Sequence, residues 1–440
     1  MLSQENNAYL CEVEPGKPMH NLLRRYWIPA GISIDLPEPD SDPVRITLLC
    51  QNYVMFRDSE GKVGFLDDNC RHRGASLTLG RVEQGGIRCI YHGWKFDRDG
   101  RVLDMPNAGD AALGRTFRQP SYPVREAGGM IFVYLGPKEL EPPLPHFPFF
   151  DVREDCRYIG TPLVNANFVQ VLEGAIDSAH LGVLHSDVHS RGAVSSVDNA
   201  PITGQVAGLF VNNIAPRVEV IEAPWGFRYA ALRDVKDPDG KNATQARVTA
   251  FFLPFCSNVT DEGSILFAVP VTSEWTIHYH TFWKTGEKAP TRLDEMITFL
   301  GWKDEELKKR ERARRLGDIS GTACRANGYR QDRAGMRSMT TFSGLKNVVL
   351  EDIAVTETMG AISNRSIEHL VQSDAAVIRA RRVLVRNARK VEQGEQPGGT
   401  DLQIVPAGGQ GFVTEGNPWS SFFDDWSNVV AEMPLANAAE

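Results

Sequence analysis

Cys70-Arg71-His72 and Cys89-Ile90-Tyr91-His92 each offer one thiolate and one imidazole, with sixteen residues between the two groups. A Rieske 2Fe–2S centre holds one iron by two Cys and the other by two His. Two loops that grip such a cluster from opposite sides must each supply one ligand of each kind. This spacing provides that. Structural zinc sites usually group their ligands as a Cys pair with a His pair, or as repeated Cys pairs. With 7 Cys and 10 His in 440 residues, chance assembly of the pattern is on the order of one in ten thousand per chain. Cys70, His72, Cys89 and His92 are the expected cluster ligands.

A cluster domain alone only carries electrons, and nearly three hundred residues follow it. The other concentrated histidine set lies there, in Glu173-Gly-Ala-Ile-Asp177-Ser-Ala-His180-Leu-Gly-Val-Leu-His185. The spacing predicts a helix over 167–184, which puts Glu173, Asp177 and His180 on one face. His185 would then point about 140° away, unless Gly182 ends or kinks the helix and turns both imidazoles inward. Two His and a carboxylate from elsewhere make the facial triad of non-haem Fe(II) oxygenases, with positions open for dioxygen and substrate. Asp332, Glu351 and Asp352 are all available as the carboxylate.

The elements that must position these groups fall into two parts. Pro43–Cys50, Tyr53–Arg57, Val63–Leu66, a hairpin around Asp99-Gly100 and Met130–Leu135 read as strands. Five prolines between Gly136 and Pro148 then exclude regular structure and form a stiff connector. Beyond it, strands around Arg217–Ile221, Phe227–Leu232, Ala246–Leu253 and Ser264–Val271 precede helices at Leu293–Arg315 and Asp374–Val391. Ser373 is the expected N-cap of the last helix and Gly394 its stop. Without βαβ alternation this is an α+β fold. The division is an N-terminal arm, 1–40, a β-rich 2Fe–2S domain, 41–136, a linker, 137–150, and a catalytic domain, 151–440.

A net charge of −8 argues against nucleic acid or an anionic membrane as partner. The first ten residues lack the pattern of a signal peptide, and apolar runs are too short to span a bilayer. Cys11, Cys50, Cys156, Cys256 and Cys324 fit reduced thiols in a cytoplasm. No Rossmann-type glycine motif is present to bind a nucleotide, so electrons must come from an external donor.

The chain resembles the oxygenase (alpha) subunits of Rieske non-haem iron aromatic ring-hydroxylating oxygenases, especially the phthalate-dioxygenase-like group. The resemblance runs through RRYWIPA at 24–30, CRHRGASL at 70–77 and CIYHGWKFDRDG at 89–100. It continues in FVQVLEGAIDSAHLGVLH at 168–185, QDRAGMRS at 331–338 and LEDIAVTETMGAISNRSIEHL at 350–370. It implies a catalytic domain built as an antiparallel sheet flanked by helices, in a helix-grip-like arrangement. It implies a mononuclear Fe(II) held by His180, His185 and Asp352. Asp177 would bridge His180 and a cluster histidine of a neighbouring subunit, and Glu173 would be a weaker support of the same kind. It further implies a homotrimer or stacked hexamer, an NAD(P)H-dependent flavin and iron–sulfur reductase, and O₂ as co-substrate. The expected reaction (class EC 1.14) is hydroxylation of a small aromatic ring, with cis-dihydroxylation favoured and monooxygenation or O-demethylation as the alternative. A Rieske electron carrier without catalytic iron is the remaining reading. Arg217 and Arg247 look like the pair that grips phthalate in that group, because a carboxylate in an apolar pocket needs a fixed cation.

Overall fold

The computed structural model describes residues 2–108, 116–187, 213–236, 241–260, 263–413 and 418–423. Two β-rich bodies share one continuous core. In the first, strands Val44–Leu48, Gln51–Arg57 and Val63–Asp67 form a meander. A four-stranded sheet of Arg81–Glu83, Gly86–Arg88, Lys95–Phe96 and Val102–Asp104 stands beside it. A separate small core of Val54, Phe56, Leu66, Leu77, Trp94 and Phe96 encloses Cys70 and Cys89. A third sheet orders Trp27–Ile32, Met130–Tyr134 and Val124–Ala127.

The second body is built on an antiparallel sheet. Its path runs Arg157–Gly160, Thr276–Trp283, Ser264–Pro270, Cys256–Thr260, Asn242–Phe252, Gly226–Lys236 and Arg217–Ala223. Leu163–Val164 and Gly409–Val413 add short pairings on Thr276–Trp283 and Asn242–Phe252. Partners in antiparallel strands share a face. The registers Phe251↔Ser257, Ser257↔Leu266 and Leu266↔His280 therefore put His280, His278 and Phe251 on the same face as Arg247, Arg233 and Tyr229. Helix Phe168–Ile176 packs against the two middle strands of this sheet and against helix Val348–Thr358. Trp302 reaches the same face by lying on Gly160, where a Cβ would come within 2.1 Å of its ring. This is the α+β, helix-flanked sheet that the sequence implies.

Four expectations change. The helix expected over 167–184 ends at Ile176: Asp177 turns extended (φ −84°, ψ 122°), and a 3₁₀ turn at His180–Gly182 follows. The break lies five residues before Gly182, so a non-helical Asp177 redirects the histidines. Leu293–Arg315 is two helices, Ala289–Phe299 and Glu305–Leu316, parted by Gly301 at φ +85°. The last helix, Ala375–Glu392, does stop before Gly394 at φ +79°, but its N-cap is Asp374 rather than Ser373. Finally, 1–40 is not a separate arm. Strand Trp27–Ile32 pairs with Met130–Tyr134, inside the first body. Helices Gln4–Cys11 and Pro18–Leu23 instead pack on Ala375–Glu392, in the second. The backbone confirms that docking: Leu2 N donates to Arg365 O (3.0 Å) and Val13 N to Ser273 Oγ (2.9 Å).

The proline-rich segment is packed as well as stiff. Phe147 stands between Phe132 of the first body (5.8 Å) and Phe267 of the second (5.2 Å).

Candidate metal centres

The two cysteine–histidine loops are built alike. Gly74 N donates to Cys70 O (2.8 Å) and Gly93 N to Cys89 O (3.0 Å). Both glycines have positive φ, +77° and +78°, a conformation that side-chain-bearing residues rarely take. Each loop thus doubles back on its own cysteine. Asp68 braces the first loop by accepting from Ser76 Oγ, Thr78 N and Thr78 Oγ1. Gln119 braces it too, accepting from Arg71 N (2.9 Å) and donating to Asp67 O and Asn69 O.

Both thiols are buried. Burial, with Cys89 adding to it, pushes Cys70 up to about 11, so these sulfurs sit close together. The rings of His72 and His92 lie 4.4 Å apart, and Trp94 stacks on His72 at 4.7 Å. His92 Nδ1 is buried with no hydrogen-bond partner among the described residues. An orphaned imidazole nitrogen beside two adjacent thiols fits a mixed Cys₂His₂ cluster. Outside the histidines, Ile90 and Tyr91 are 65% and 54% exposed, so the ring side of this centre faces solvent.

In the second body, His180, His185 and Asp352 place one ligand atom each within 4.8 Å of one another. Asp352 Oδ1 is 3.1 Å from His185 Nε2 and 3.7 Å from His180 Nε2. The opposite nitrogens are held by carboxylates. His180 Nδ1 lies 3.2 Å from Asp177 Oδ2, and His185 Nδ1 lies 2.7 Å from Glu351 Oε2. Glu351 is fixed in turn by Ser343 Oγ. Each Nε2 is thus turned toward the shared centre with its ring orientation set. The remaining carboxylate candidates separate cleanly: Glu351 serves His185 from outside, and Asp332 caps helix Arg333–Arg337 through Gly335 N.

Electrostatics agree with that arrangement. Burial would lower His185, but Asp352 and Glu351 outweigh it and hold it up to about 10. Burial would raise Asp352, yet His185 and His180 keep it below the usual carboxylate range. These groups prefer opposite charges even before a cation arrives. Helix Val348–Thr358 carries both acids and is anchored at its far end. There Glu357 pairs with buried Arg310 (2.7 Å) and accepts from Tyr329 OH (3.1 Å) and Asn165 N (2.9 Å).

Asp177 combines two jobs: Oδ1 accepts from Ala179 N (2.7 Å) while Oδ2 faces His180. Its side chain remains 26% exposed. Glu173 does not join the site. It is bound by Arg365 (3.0 Å) and Arg381 (2.6 Å) under the last helix.

Of the two arginines expected to meet substrate, Arg247 is 8% exposed and faces the site, donating to Ser178 Oγ (3.4 Å). Arg217 does not belong there. It lies on the outermost strand, its side chain is 54% exposed, and it pairs with Glu219 at 3.3 Å. The cation beside Arg247 is Arg233, fully buried, which donates to Ser178 O (2.7 Å) and Ser178 Oγ (3.2 Å). Burial first, and then the like charge of Arg247, lowers Arg233 to about 10. The register Arg233↔Gln245 sets it diagonally across from Arg247. The signal available in the sequence was an arginine directly after the apolar strand Phe227–Leu232.

A Rieske [2Fe-2S] domain family model matches residues 26–123, and a model described as LigXa C-terminal domain like matches 133–437. The phthalate 4,5-dioxygenase oxygenase subunit of Pseudomonas putida is 34% identical over 98% of both chains. The 3-chlorobenzoate-3,4-dioxygenase oxygenase subunit of Comamonas testosteroni is 32% identical over 96% of this chain and 98% of its own. Among solved structures, Pseudomonas putida CBB5 NdmA covers 90% of this chain and 99% of its own, with TM-score 0.57 at 17% identity. A dicamba monooxygenase covers 85% and 99%, with TM-score 0.54 at 17% identity. The chain belongs to the Rieske non-haem iron oxygenases, as an oxygenase subunit. Such a subunit carries a Rieske 2Fe–2S cluster and a mononuclear iron, and works with a reductase and oxygen. Among the described residues no helix is long and apolar enough to cross a membrane.

Proposed function

We propose that Cys70, His72, Cys89 and His92 hold the cluster, and that His180, His185 and Asp352 hold the iron. When bound, the cluster supplies single electrons and the iron activates dioxygen next to substrate. The protein's own part is to fix ring orientations through Asp177 and Glu351, keep water from the buried face, and orient the ring to be oxidised.

The arginine pair carries the substrate assignment. Two like charges buried side by side on the sheet, both converging on Ser178 next to Asp177, are arranged to grip one anion. The reading is an aromatic carboxylate hydroxylated on its ring, with cis-dihydroxylation favoured by the likeness to the two dioxygenase subunits. The alternative is O-demethylation, which the 28%-identical 5,5'-dehydrodivanillate O-demethylase oxygenase subunit of Sphingobium sp. supports.

Asp177 is placed to couple the two metals between subunits. Its side chain is 26% exposed, while Ile90 and Tyr91 form an apolar collar at the cluster. Apolar patches of this kind suit contact between copies of the chain. A head-to-tail homotrimer, singly or stacked as a hexamer, would bring the collar of one copy to Asp177 of the next. An NAD(P)H-dependent flavin reductase supplies the electrons, in the cytoplasm.

Incubation with a reductase, ¹⁸O₂ and a panel of aromatic acids and their methyl esters tests this reading. Two labelled oxygens in an acid-derived diol are expected, and Arg247→Met should weaken acid binding by about 2–5 kcal/mol. An acid preference that survives Met at both Arg233 and Arg247 would remove the carboxylate reading.

A further inference from the structure

The sheet face that carries the arginines has a second polar end that the proposed reaction leaves unused. On Thr276–Trp283, the alternating residues His278, His280 and Phe282 face inward, packed beneath Trp302. His280 is accounted for: its Nε2 meets Ser264 Oγ at 2.7 Å. His278 is not. It is 7% exposed, and its Nε2 is buried with no hydrogen-bond partner among the described residues. On the same face, Ser257 Oγ is likewise buried and unpartnered. Buried polar atoms in native proteins nearly always find a partner. On that face His278 and Ser257 join Tyr229, Thr249 and Gln245 as buried polar groups with an atom lacking a hydrogen-bond partner among the described residues, and such a set calls for a ligand.

The end of the face on which His278 sits is distinct from the arginine end. Asp352 is the charge that acts on His278, whereas Asp177 is the acid that acts on Arg233 and Arg247. The sheet itself sets the two ends apart: strands Ser264–Pro270 and Cys256–Thr260 lie between Thr276–Trp283 and the strand that carries Arg247. We propose that His278 is a specificity-determining residue, its Nε2 hydrogen-bonding an uncharged oxygen substituent, hydroxyl or ether, on the substrate ring. A neutral imidazole can donate or accept at Nε2 according to tautomer, so it serves either group. A second carboxylate is the poorer match, because Asp352 faces that end.

This inference rests on the sheet face being the substrate floor, and is independent of the carboxylate reading. The test uses binding to the oxidised, metal-loaded holoenzyme by calorimetry, so that no assumption about product enters. The probes are matched acids of equal shape: 4-hydroxybenzoate with 4-methylbenzoate, and 3- and 4-methoxybenzoate with their ethyl counterparts. Every member carries the carboxylate, so failure of the arginine reading changes all of them together and leaves the ratios intact. The wild-type protein should favour the oxygen-bearing member of at least one pair by about 10-fold to 100-fold, since a site built to hydrogen-bond an oxygen discriminates against its absence. His278→Leu should erase that ratio by weakening the oxygenated member alone, with iron content unchanged. His278→Gln retains a donor and acceptor of similar reach and should keep part of it, which covers the case in which the leucine variant does not fold. Ratios near one in the wild type, a ratio unchanged in His278→Leu, or phthalate binding more tightly than every oxygenated monoacid would each overturn the proposal.

Discussion

The two candidate metal centres differ in how far the chain must travel to build them. At the cluster, all four side chains come from a stretch of 23 residues, and two glycine-closed loops of like design do the work. At the iron site, Asp352 is brought to His180 and His185 from a helix far along the chain, and each histidine is oriented by an acid of different origin. The first centre is local and open to solvent on its histidine side. The second is long-range, with His185 buried and His180 and Asp352 partly exposed, and stabilised by opposite charges that pull together without metal. A centre that hands over electrons needs an accessible edge; one that confines an oxidant needs exclusion of water.

The largest effect should separate the centres outright. Cys89→Ser is expected to remove the cluster and its reduced-state EPR signal while the mononuclear iron remains. His185→Ala is expected to leave the signal and lower iron from three atoms per chain to two. Both should abolish product. Loss of the cluster signal in His185→Ala would mean that the two centres are not independent.

Next is the acid behind His185. Glu351→Gln keeps the shape but loses the charge, and should weaken iron binding by about 10–100-fold. The same acid helps hold His185 protonated up to about 10 without metal. A proton must leave before iron binds, so iron affinity should rise about tenfold per pH unit between the ordinary histidine range and that value. The sign for the metal-free fold is opposite. The raised pKa stabilises it fully below the unfolded histidine's pKa, and that contribution fades as pH rises toward 10. Titrations of iron into apoprotein at pH 7 and 8 check the slope, which Glu351→Gln should flatten.

The smallest effect belongs to the local centre. Gln119→Leu removes the brace on the Cys70 loop and should cost about 1–3 kcal/mol, read as a lower melting temperature with the cluster still bound. An unchanged melting temperature would show that the glycine turn and Asp68 set the loop without Gln119.

That contrast also explains what could be read from the residue string. The four residues proposed for the cluster stand out in the sequence because spacing within two short loops is itself geometry. His180 and His185 were legible as a pair, but the helix expected to carry them was wrong, since nothing in the local pattern announces that Asp177 leaves the helix to meet His180. Asp352 is proposed over Glu351 on family resemblance, because the two are chemically equal in the sequence. Only the hydrogen bond of Glu351 to His185 Nδ1 shows the difference. Arg217 and Arg233 both sit in strands of the same sheet, and burial separates them: strand order, a long-range property, puts one at the rim and the other inside.

Helices Gln4–Cys11 and Pro18–Leu23 rest on Ala375–Glu392, while the strand after them, Trp27–Ile32, belongs to the cluster domain. During synthesis the first two dozen residues therefore leave the ribosome long before their binding surface exists. At about 5–20 residues per second, roughly 20–70 s separate the two events. Meanwhile the helices that carry Leu10, Leu22 and Leu23, fully buried in the finished protein, lack the last helix on which they pack. The cluster domain can close and acquire its iron and sulfide in that interval, but the catalytic domain cannot be completed until the chain's first helices return to its last.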